Sequence, residues 1–222
     1  MSPAPEPRKG ARTRERILDA ALGAFSEQGF NAVSLRDIAA RAELTHVGLL
    51  HHFPSKEDLL IHVLERRDDL DVLELQQLRE QTDVLDRTLL VWALRIVARN
   101  TTTPGAASLY ARLSSEAADV DHPAHAHFVD RYRRLAGALT AAIRTELAEH
   151  QPPFQITAEQ AGRQFLALMD GLQLQWLLEP DQVDMVGSLL GYLASLGIII
   201  DRETIDPVST PTPTAAAGGE NA

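Results

Sequence analysis

Residues 43–60, ELTHVGLLHHFPSKEDLL, contain two helix starts separated by a proline. Thr45 is a good N-cap for a short first helix that ends near His52, because its hydroxyl can accept a free N–H of the first turn. Pro54 cannot continue that helix, since it lacks the N–H and crowds the preceding turn. Ser55 then caps a second, much longer helix. We therefore predict a very short helix directly in front of a long one.

Another short helix precedes this stretch, in residues 31–44, NAVSLRDIAARAEL. Ser34 is its predicted N-cap, and Asp37 three residues on makes a variant of the capping box. Before it, residues 12–28 repeat apolar side chains at intervals of three and four, as on one face of a helix. Gly29 suits the position that ends that helix. One helix followed by two short helices across a tight turn is a helix-turn-helix.

Residue types and spacings in residues 13–60 closely resemble the tetracycline-repressor (TetR) family of bacterial regulators over nearly 50 positions. The resemblance implies a DNA-binding module whose second short helix enters the major groove. The matching residues are Ala20, Ala21, Phe25, Gly29, Phe30, Ser34, Ile38, Ala39, His52, Phe53, Lys56 and Leu59.

Two positions depart from the family pattern. The turn position that is often glycine in the family is Glu43 here, so the turn must take a left-handed or near-helical shape with a Cβ. The family's tyrosine that touches a backbone phosphate is Leu50 here, which cannot donate a hydrogen bond. Either His51 and His52 take over that contact, or the module binds DNA more weakly than its relatives.

The short helix carries most of the side chains that the resemblance places against DNA. Gly48 would allow a close approach to a base, and Val47 would touch a thymine methyl. Ser34, His52 and Lys56 resemble phosphate contacts, although a serine N-cap is explained without DNA. The alternative is an ordinary polar helix surface. The predicted DNA contacts are Ser34, Arg36, Thr45, His46, Val47, Gly48, His51, His52 and Lys56.

Charge is unevenly distributed along the 222 residues, whose net charge is −10. Residues 1–56 hold 8 basic and 6 acidic side chains, and the remainder holds 13 and 25. This asymmetry favours a small module that meets a polyanion and a larger acidic body that does not. The absence of cysteine excludes disulfides and thiolate metal sites. With no signal-peptide core and no apolar run long enough to span a bilayer, we predict a cytoplasmic protein without membrane contact.

Beyond residue 60 only helical periods occur, so we predict an all-α fold with about nine helices. An N-terminal three-helix helix-turn-helix DNA-binding domain precedes a C-terminal helical ligand-binding and dimerisation domain. Polar and low-complexity composition predicts disorder at both ends. The predicted segments are an arm (1–10), the DNA-binding domain (11–56), the body (57–203) and a tail (204–222).

The resemblance also implies a ligand pocket in the body. Such sites have mostly apolar walls with few polar groups, and the abundance of leucine and alanine favours a largely apolar effector. For any single aromatic residue, a place in the core is the competing interpretation. The predicted lining is Trp92, Arg95, Tyr110, Glu116, Phe128, Phe165, Met169, Gln173 and Trp176.

Residues 157–200 predict two helices that are apolar on many sides and must be buried by something. Doubled by symmetry, two helices make the four-helix interface of a homodimer, as the resemblance also implies. Burial inside the monomer is the alternative. The predicted interface is Gly171, Leu174, Leu177, Val186, Leu189, Leu190 and Leu193.

The combined prediction is a homodimeric transcriptional repressor, without enzymatic activity or cofactor, released from a near-palindromic double-stranded operator by a small molecule. The long helix after Ser55 is predicted to couple body and reader. One alternative is an activator or global regulator without a small-molecule effector. Another is a helical metal-binding protein that uses Asp121, His122, His125 and His127, although residues 125 and 127 point to different helix faces. No catalytic or metal-binding residue is assigned.

Overall fold

The computed structural model describes residues 9–81, 85–102, 104–149, 152 and 154–205. The predicted arm up to residue 8 and the predicted tail from residue 206 lie outside the described residues. Within the described ranges the chain is all-helical and contains no strand, as predicted. No helix in these ranges combines the length and apolar character that crossing a bilayer requires.

The described part of the chain forms nine α-helices and one short 3-10 turn, in agreement with the predicted number. In chain order they are α1 (Lys9–Gln28), α2 (Leu35–Arg41), α3 (His46–Leu50), α4 (Lys56–Gln81), α5 (Leu85–Thr102), α6 (Pro104–Glu116), α7 (His125–Glu149), α8 (Ala158–Leu178) and α9 (Met185–Ser195), followed by the 3-10 turn Arg202–Thr204.

Three boundaries differ from the sequence prediction. Helix α1 already begins at Lys9, inside the predicted arm. Helix α9 is shorter than residues 181–200, over which the pattern predicts it; it starts later because the Asp184 carboxylate caps it, accepting the Gly187 N–H at 2.9 Å, and it ends at Ser195. The predicted tail starts too early, since Ile205 is only 1% exposed and packs in the core.

The caps predicted around the helix-turn-helix are confirmed. Ser34 and Asp37 form the capping box: the Asp37 N–H donates to Ser34 Oγ at 3.3 Å, and the Ser34 N–H donates to Asp37 Oδ2 at 3.1 Å. The hydroxyls of Thr45 and Ser55 each accept the backbone N–H three residues on, at 3.0 Å in both cases. These side chains satisfy first-turn N–H groups that have no partner within a helix.

The two tight turns also take the predicted backbone form. Glu43, between α2 and α3, has φ +53°, the left-handed conformation with a Cβ. Gly29, after α1, has φ +82°, where glycine avoids the steric cost of a side chain. Both turns therefore follow from local sequence.

The apolar side chains form two cores. The N-terminal core joins α1, α2, α3 and the first half of α4 to α6, whose Leu109 and Leu113 are fully buried in it. The C-terminal core unites α5, α7, α8 and α9. Packing thus runs continuously across the predicted boundary at residue 56, and independent folding of residues 11–56 stays a prediction. The largest side chains of the N-terminal core are Phe25, Phe30, Phe53 and Phe128, and those of the C-terminal core include Trp92, Phe165 and Trp176.

Candidate DNA interface and ligand cavity

Helix α3 is anchored on one side and open on the other. Leu49 is fully buried, and Phe53 just after the helix is buried beside it. On the opposite side Val47 is 63% exposed and Leu50 is 37% exposed. Arg36 on α2 is exposed as well. The short helix thus offers an outer face to a partner while its inner face fixes its position.

Two of the predicted contact residues have a structural task. The hydroxyls of Ser34 and Thr45 are occupied as N-caps. Gly48 faces the Thr45 cap, and a Cβ there would lie 3.2 Å from the Thr45 hydroxyl. His51 is exposed and His52 is half-buried at the end of the helix. Contact of these residues with DNA stays a prediction.

Lys56 holds the start of α4 against the turn between α1 and α2. Its ammonium donates to the carbonyls of Phe30 and Val33, at 2.9 Å each, and lies 4.3 Å from the Phe30 ring centroid. The sequence did not predict this role. Only one ammonium hydrogen is left for a phosphate, so the predicted phosphate contact is at most a second task of this side chain.

We expect Lys56→Met to lower the free energy of unfolding by about 1–3 kcal/mol, because two carbonyls lose a charged donor. Urea unfolding followed by circular dichroism measures this change. Arg36→Met is the matched control, since it also removes a cation from the module but from an exposed position. Equal unfolding midpoints for the two variants would contradict the role assigned to Lys56.

The body contacts the DNA-binding module through α4 and α6. Arg66 of α4 pairs with Glu15 of α1 at 2.9 Å and with Asp19 at 2.5 Å. Ser108 of α6 donates its hydroxyl hydrogen to the Ser26 carbonyl of α1 at 3.0 Å. Two body helices therefore connect to α1, not α4 alone.

A cavity of about 490 Å³ lies among α4, α5, α6, α7 and α8. Its size is in the range of sites for small organic ligands. Four predicted pocket residues line it: Tyr110, Phe128, Met169 and Gln173. The Gln173 amide also ties three helices together, since it accepts from Asn100 at 2.9 Å and donates to the Ala107 carbonyl at 3.1 Å.

The other five predicted pocket residues do not line this cavity. The Trp92 indole is buried and donates to the Asp71 carbonyl at 2.8 Å. Arg95 reaches the Thr204 carbonyl at 2.8 Å, at another end of the body. Glu116 lies beside the turn after α1, close to Gly29. Phe165 and Trp176 are buried in the C-terminal core.

Three of the charged residues that line the cavity, Arg67, Asp71 and Arg131, were not predicted from the sequence. A signal for Asp71 was present, because it lies seven residues after Leu64 and four before Leu75 on the apolar side of α4. A carboxylate on that stripe must be buried with partners or leave the stripe. Asp71 is in fact 3% exposed.

Buried ion pairs surround the Asp71 carboxylate. Its Oδ1 lies 2.6 Å from Arg99 and 3.6 Å from Arg67, and its Oδ2 lies 3.8 Å from Arg131. Arg131 also pairs closely with Asp68, one helical turn earlier on α4. The pairs connect α4 with α5 and α7.

Two uncharged side chains also lie next to the Asp68 carboxylate. The Tyr110 hydroxyl donates to it at 3.0 Å, and His127 Nε2 lies 3.5 Å away. Burial raises the pKa of Tyr110 well above its usual range and lowers the pKa of His127 below its usual range. Both groups are therefore neutral near pH 7, and the charge of Asp68 is balanced by arginine.

The predicted dimer residues divide into two groups. Leu189 and Leu193 are fully buried within one chain, so a partner cannot contact them and this part of the prediction is wrong. Their side chains point into the C-terminal core, which is the alternative that the sequence left open. Val186 is 7% exposed, and its contact with a partner stays a prediction. Leu174 is 55% exposed, and Leu178, which was not predicted, is 74% exposed. Gly171, Leu177 and Leu190 are half-buried.

The histidines of the α6–α7 turn do not converge on a metal site. His122 Nδ1 accepts the Ala124 N–H at 3.2 Å, and His125 Nδ1 lies 2.8 Å from the Ala117 carbonyl. The described residues contain no group of three or more histidine, aspartate or glutamate side chains arranged to hold a metal ion. The geometry gives no support to the metal-binding alternative.

Comparison with known proteins identifies the class. Residues 17–63 match the family described as bacterial regulatory proteins, tetR family. The chain is 26% identical over 185 residues to the HTH-type transcriptional regulator TtgR of Pseudomonas putida, covering 80% of this chain and 86% of TtgR. It is 42% identical over 67 residues to the regulator RutR of Escherichia coli, covering 30% and 32%. A transcriptional regulator from Saccharomonospora viridis, crystallised with choline, superposes with a TM-score of 0.68 at 24% identity, covering 83% of this chain and 96% of that one.

An exposed short helix held against an all-helical body is the arrangement of a helix-turn-helix, and the relatives are named as regulators of transcription. Residues 17–63 of this chain match the tetR family of bacterial regulatory proteins, the family that the sequence resembles.

Proposed function

We propose that the protein is a homodimeric repressor that binds a near-palindromic operator and leaves it when a small molecule enters the body. The observation that supports this most is the outer face of α3, which is exposed while Leu49 and Phe53 fix the helix from behind. Reader helices of a dimer contact successive major grooves about 34–36 Å apart. The regulator is proposed to act in the cytoplasm.

The DNA contact would combine base and phosphate recognition. Val47 is suited to a thymine methyl, and Arg36 to a base edge or phosphate. Leu50 lies on the exposed side of α3, where it adds apolar contact and no phosphate bond. His51 and His52 are proposed to replace the missing tyrosine contact.

Dimerisation is proposed to use the outer faces of α8 and α9. Leu174 and Leu178 form an exposed apolar strip on α8. Helix α9 exposes Ser188, Gly191 and Ala194, small residues that allow another helix to come close. Two such helices from each chain would make a four-helix interface.

The cavity is proposed to bind the effector. It lies against α4 and α6, and both helices also contact the DNA-binding module. A ligand shifts the operator-binding equilibrium only through its different affinity for the two conformations. Movement of α4 together with α6 would change the spacing of the two reader helices.

The test is fluorescence anisotropy on DNA flanking the protein's own gene, across a salt series and with random DNA as competitor. We expect Val47→Glu to weaken operator binding by roughly a hundredfold, because a carboxylate would face the phosphates. The matched control is Val72→Glu, the same change at a 50% exposed valine on α4. It is expected to stay within about threefold of wild type.

Wild-type binding should resist random DNA, fall steeply with salt and saturate at two chains per operator. Equal losses in the two glutamate variants would contradict the assignment of α3 as the reader. Tight operator binding that no small molecule releases would instead favour a regulator without an effector.

A further inference from the structure

The cavity among α4–α8 is lined by both charged and apolar side chains. The charged ones are Arg67, Asp71, Arg131 and Asp170. Much of the remaining wall is apolar, and its main side chains are Phe128, Leu135, Leu166 and Met169. Such a lining suits a molecule with one charged group and an apolar body, in place of the largely apolar effector that the sequence predicted.

The Asp71 carboxylate at the cavity is already neutralised. Asp71 has three arginines within 4 Å: Arg99, Arg67 and Arg131. The Arg67 guanidinium, by contrast, uses few of its hydrogen-bond donors. Its side chain is 15% exposed, and its contact with Asp71 is 3.6 Å, longer than a hydrogen bond. A guanidinium has five donor hydrogens, so this buried cation has donors to spare.

We infer that the effector is an amphipathic carboxylate, whose anionic group binds Arg67 and Arg131 and whose apolar body lies along Phe128, Leu135 and Met169. Guanidinium groups bind carboxylates with two parallel hydrogen bonds, which makes arginine the suited partner. This inference rests on the proposed function, because it names the ligand class of the cavity proposed to bind the effector.

A cationic ligand is disfavoured at the same site. It would add positive charge beside Arg67 and Arg131, the two arginines that line the cavity. The Tyr110 ring, one of the aromatic faces suited to a cation, is already covered by Arg131 at 4.5 Å. The remaining carboxyl, Asp170, accepts a hydrogen bond from Tyr132 at 2.7 Å. Desolvation raises the pKa of Asp170 above its usual range, which weakens its pull on a cation.

The site also suggests how ligand binding affects the reader helix α3. Asp68 and Asp71 are on α4, and their partner Arg131 is on α7. A ligand carboxylate at Arg131 competes with both side chains for the same guanidinium. Each bound anion therefore exchanges a direct α4–α7 ion pair for a bridge through the ligand between Arg67 of α4 and Arg131 of α7, which changes the distance between the two helices.

The experiment compares three head groups on one apolar chain: decanoate, decanamide and decylamine. A second series carries the same three groups on a naphthalene ring. Isothermal titration calorimetry of the full chain gives the affinities, and anisotropy on the operator gives DNA release. We expect the carboxylate to bind at least about tenfold more tightly than its amide, since a charge-assisted pair is stronger than a neutral one. The amine is expected to bind more weakly still.

The variant that tests the site is Arg67→Met, expected to lower carboxylate affinity about tenfold while leaving amide affinity unchanged. The matched control is Arg134→Met. Arg134 pairs with Asp68 at 3.4 Å but is 69% exposed and does not line the cavity, so its loss should change affinity less than threefold.

Amides or amines that bind as tightly as the carboxylates would overturn the inference, as would unchanged carboxylate binding in Arg67→Met. Failure of both carboxylates to bind would also overturn it, while operator binding by the same samples would leave the proposed regulator standing. If the wild-type protein does not bind the operator, the proposed function fails, whatever the head-group comparison shows. The head-group comparison on wild type decides the ligand charge even if Arg67→Met does not fold.

Discussion

Replacing Asp71 with asparagine is expected to lower the free energy of unfolding by about 3–5 kcal/mol. The change keeps the size of the side chain but removes the one carboxylate that three guanidinium groups share. Arg67 would then lose its carboxylate partner, and Arg99 and Arg131 would keep only Glu74 and Asp68, in a site where the native side chain is only 3% exposed. Urea unfolding followed by circular dichroism measures the loss.

Glu74→Gln is the matched control for this prediction. It makes the same change one turn further along α4 and also removes a partner of Arg99, but its side chain is 29% exposed. We expect it to lower the unfolding free energy by no more than about 1 kcal/mol. A ligand carboxylate should restore part of the stability of Asp71→Asn, because it replaces the missing negative charge. Equal losses for the two variants would show that the cluster is too hydrated to behave as buried.

The helix-turn-helix could be predicted closely because its signals are local. Ser34, Thr45 and Ser55 cap helices through atoms within three residues, so short sequence windows contain the cause. At the Glu43 turn the sequence left a left-handed or a near-helical backbone open, and the structure has the left-handed one. Local hydrogen bonds and backbone sterics therefore determine the structure of the helix-turn-helix.

The role of Lys56 was not predictable from those signals. Its carbonyl partners lie 23 and 26 residues away, and a lysine at a helix start is equally suited to a phosphate. The ligand cavity shows the same limit. Apolar periodicity indicates that α5 and α8 are buried, but not which neighbour each side chain faces. Phe165 and Phe128 both belong to apolar helix faces, yet only Phe128 lines the cavity.

The dimer prediction failed at Leu189 and Leu193 for a related reason. A helix that is apolar on many sides must be buried, but the sequence does not say whether its own chain or a partner covers it. Here the chain covers the large side chains, and the outer face of α9 is made of small ones. Exposed leucines on α8 are the stronger sign of a partner, because these side chains are still exposed in the folded single chain.

Gly162→Val is expected to lower the free energy of unfolding by about 3 kcal/mol, because α7 and α8 touch at this glycine. A Cβ there would lie 2.7 Å from the Thr140 hydroxyl and 2.9 Å from the Thr140 backbone nitrogen. The Thr140 side chain can rotate away from the added valine, but the Thr140 backbone cannot, so α7 and α8 must separate. Leu135 and Leu166 line the cavity from these same helices, so carboxylate binding should weaken as well.

Gly137→Val separates this contact from a general effect of valine in a helix. Gly137 lies in the middle of α7, and a Cβ there meets no atom within 4 Å. Since valine has a somewhat higher helix propensity than glycine, this variant should stay within about 0.5 kcal/mol of wild type. Urea unfolding of both variants is measured at one protein concentration, so that the two unfolding free energies can be compared directly. A small loss at Gly162 would mean that α7 and α8 can separate at little cost, and the cavity between them would then have no fixed wall on this side.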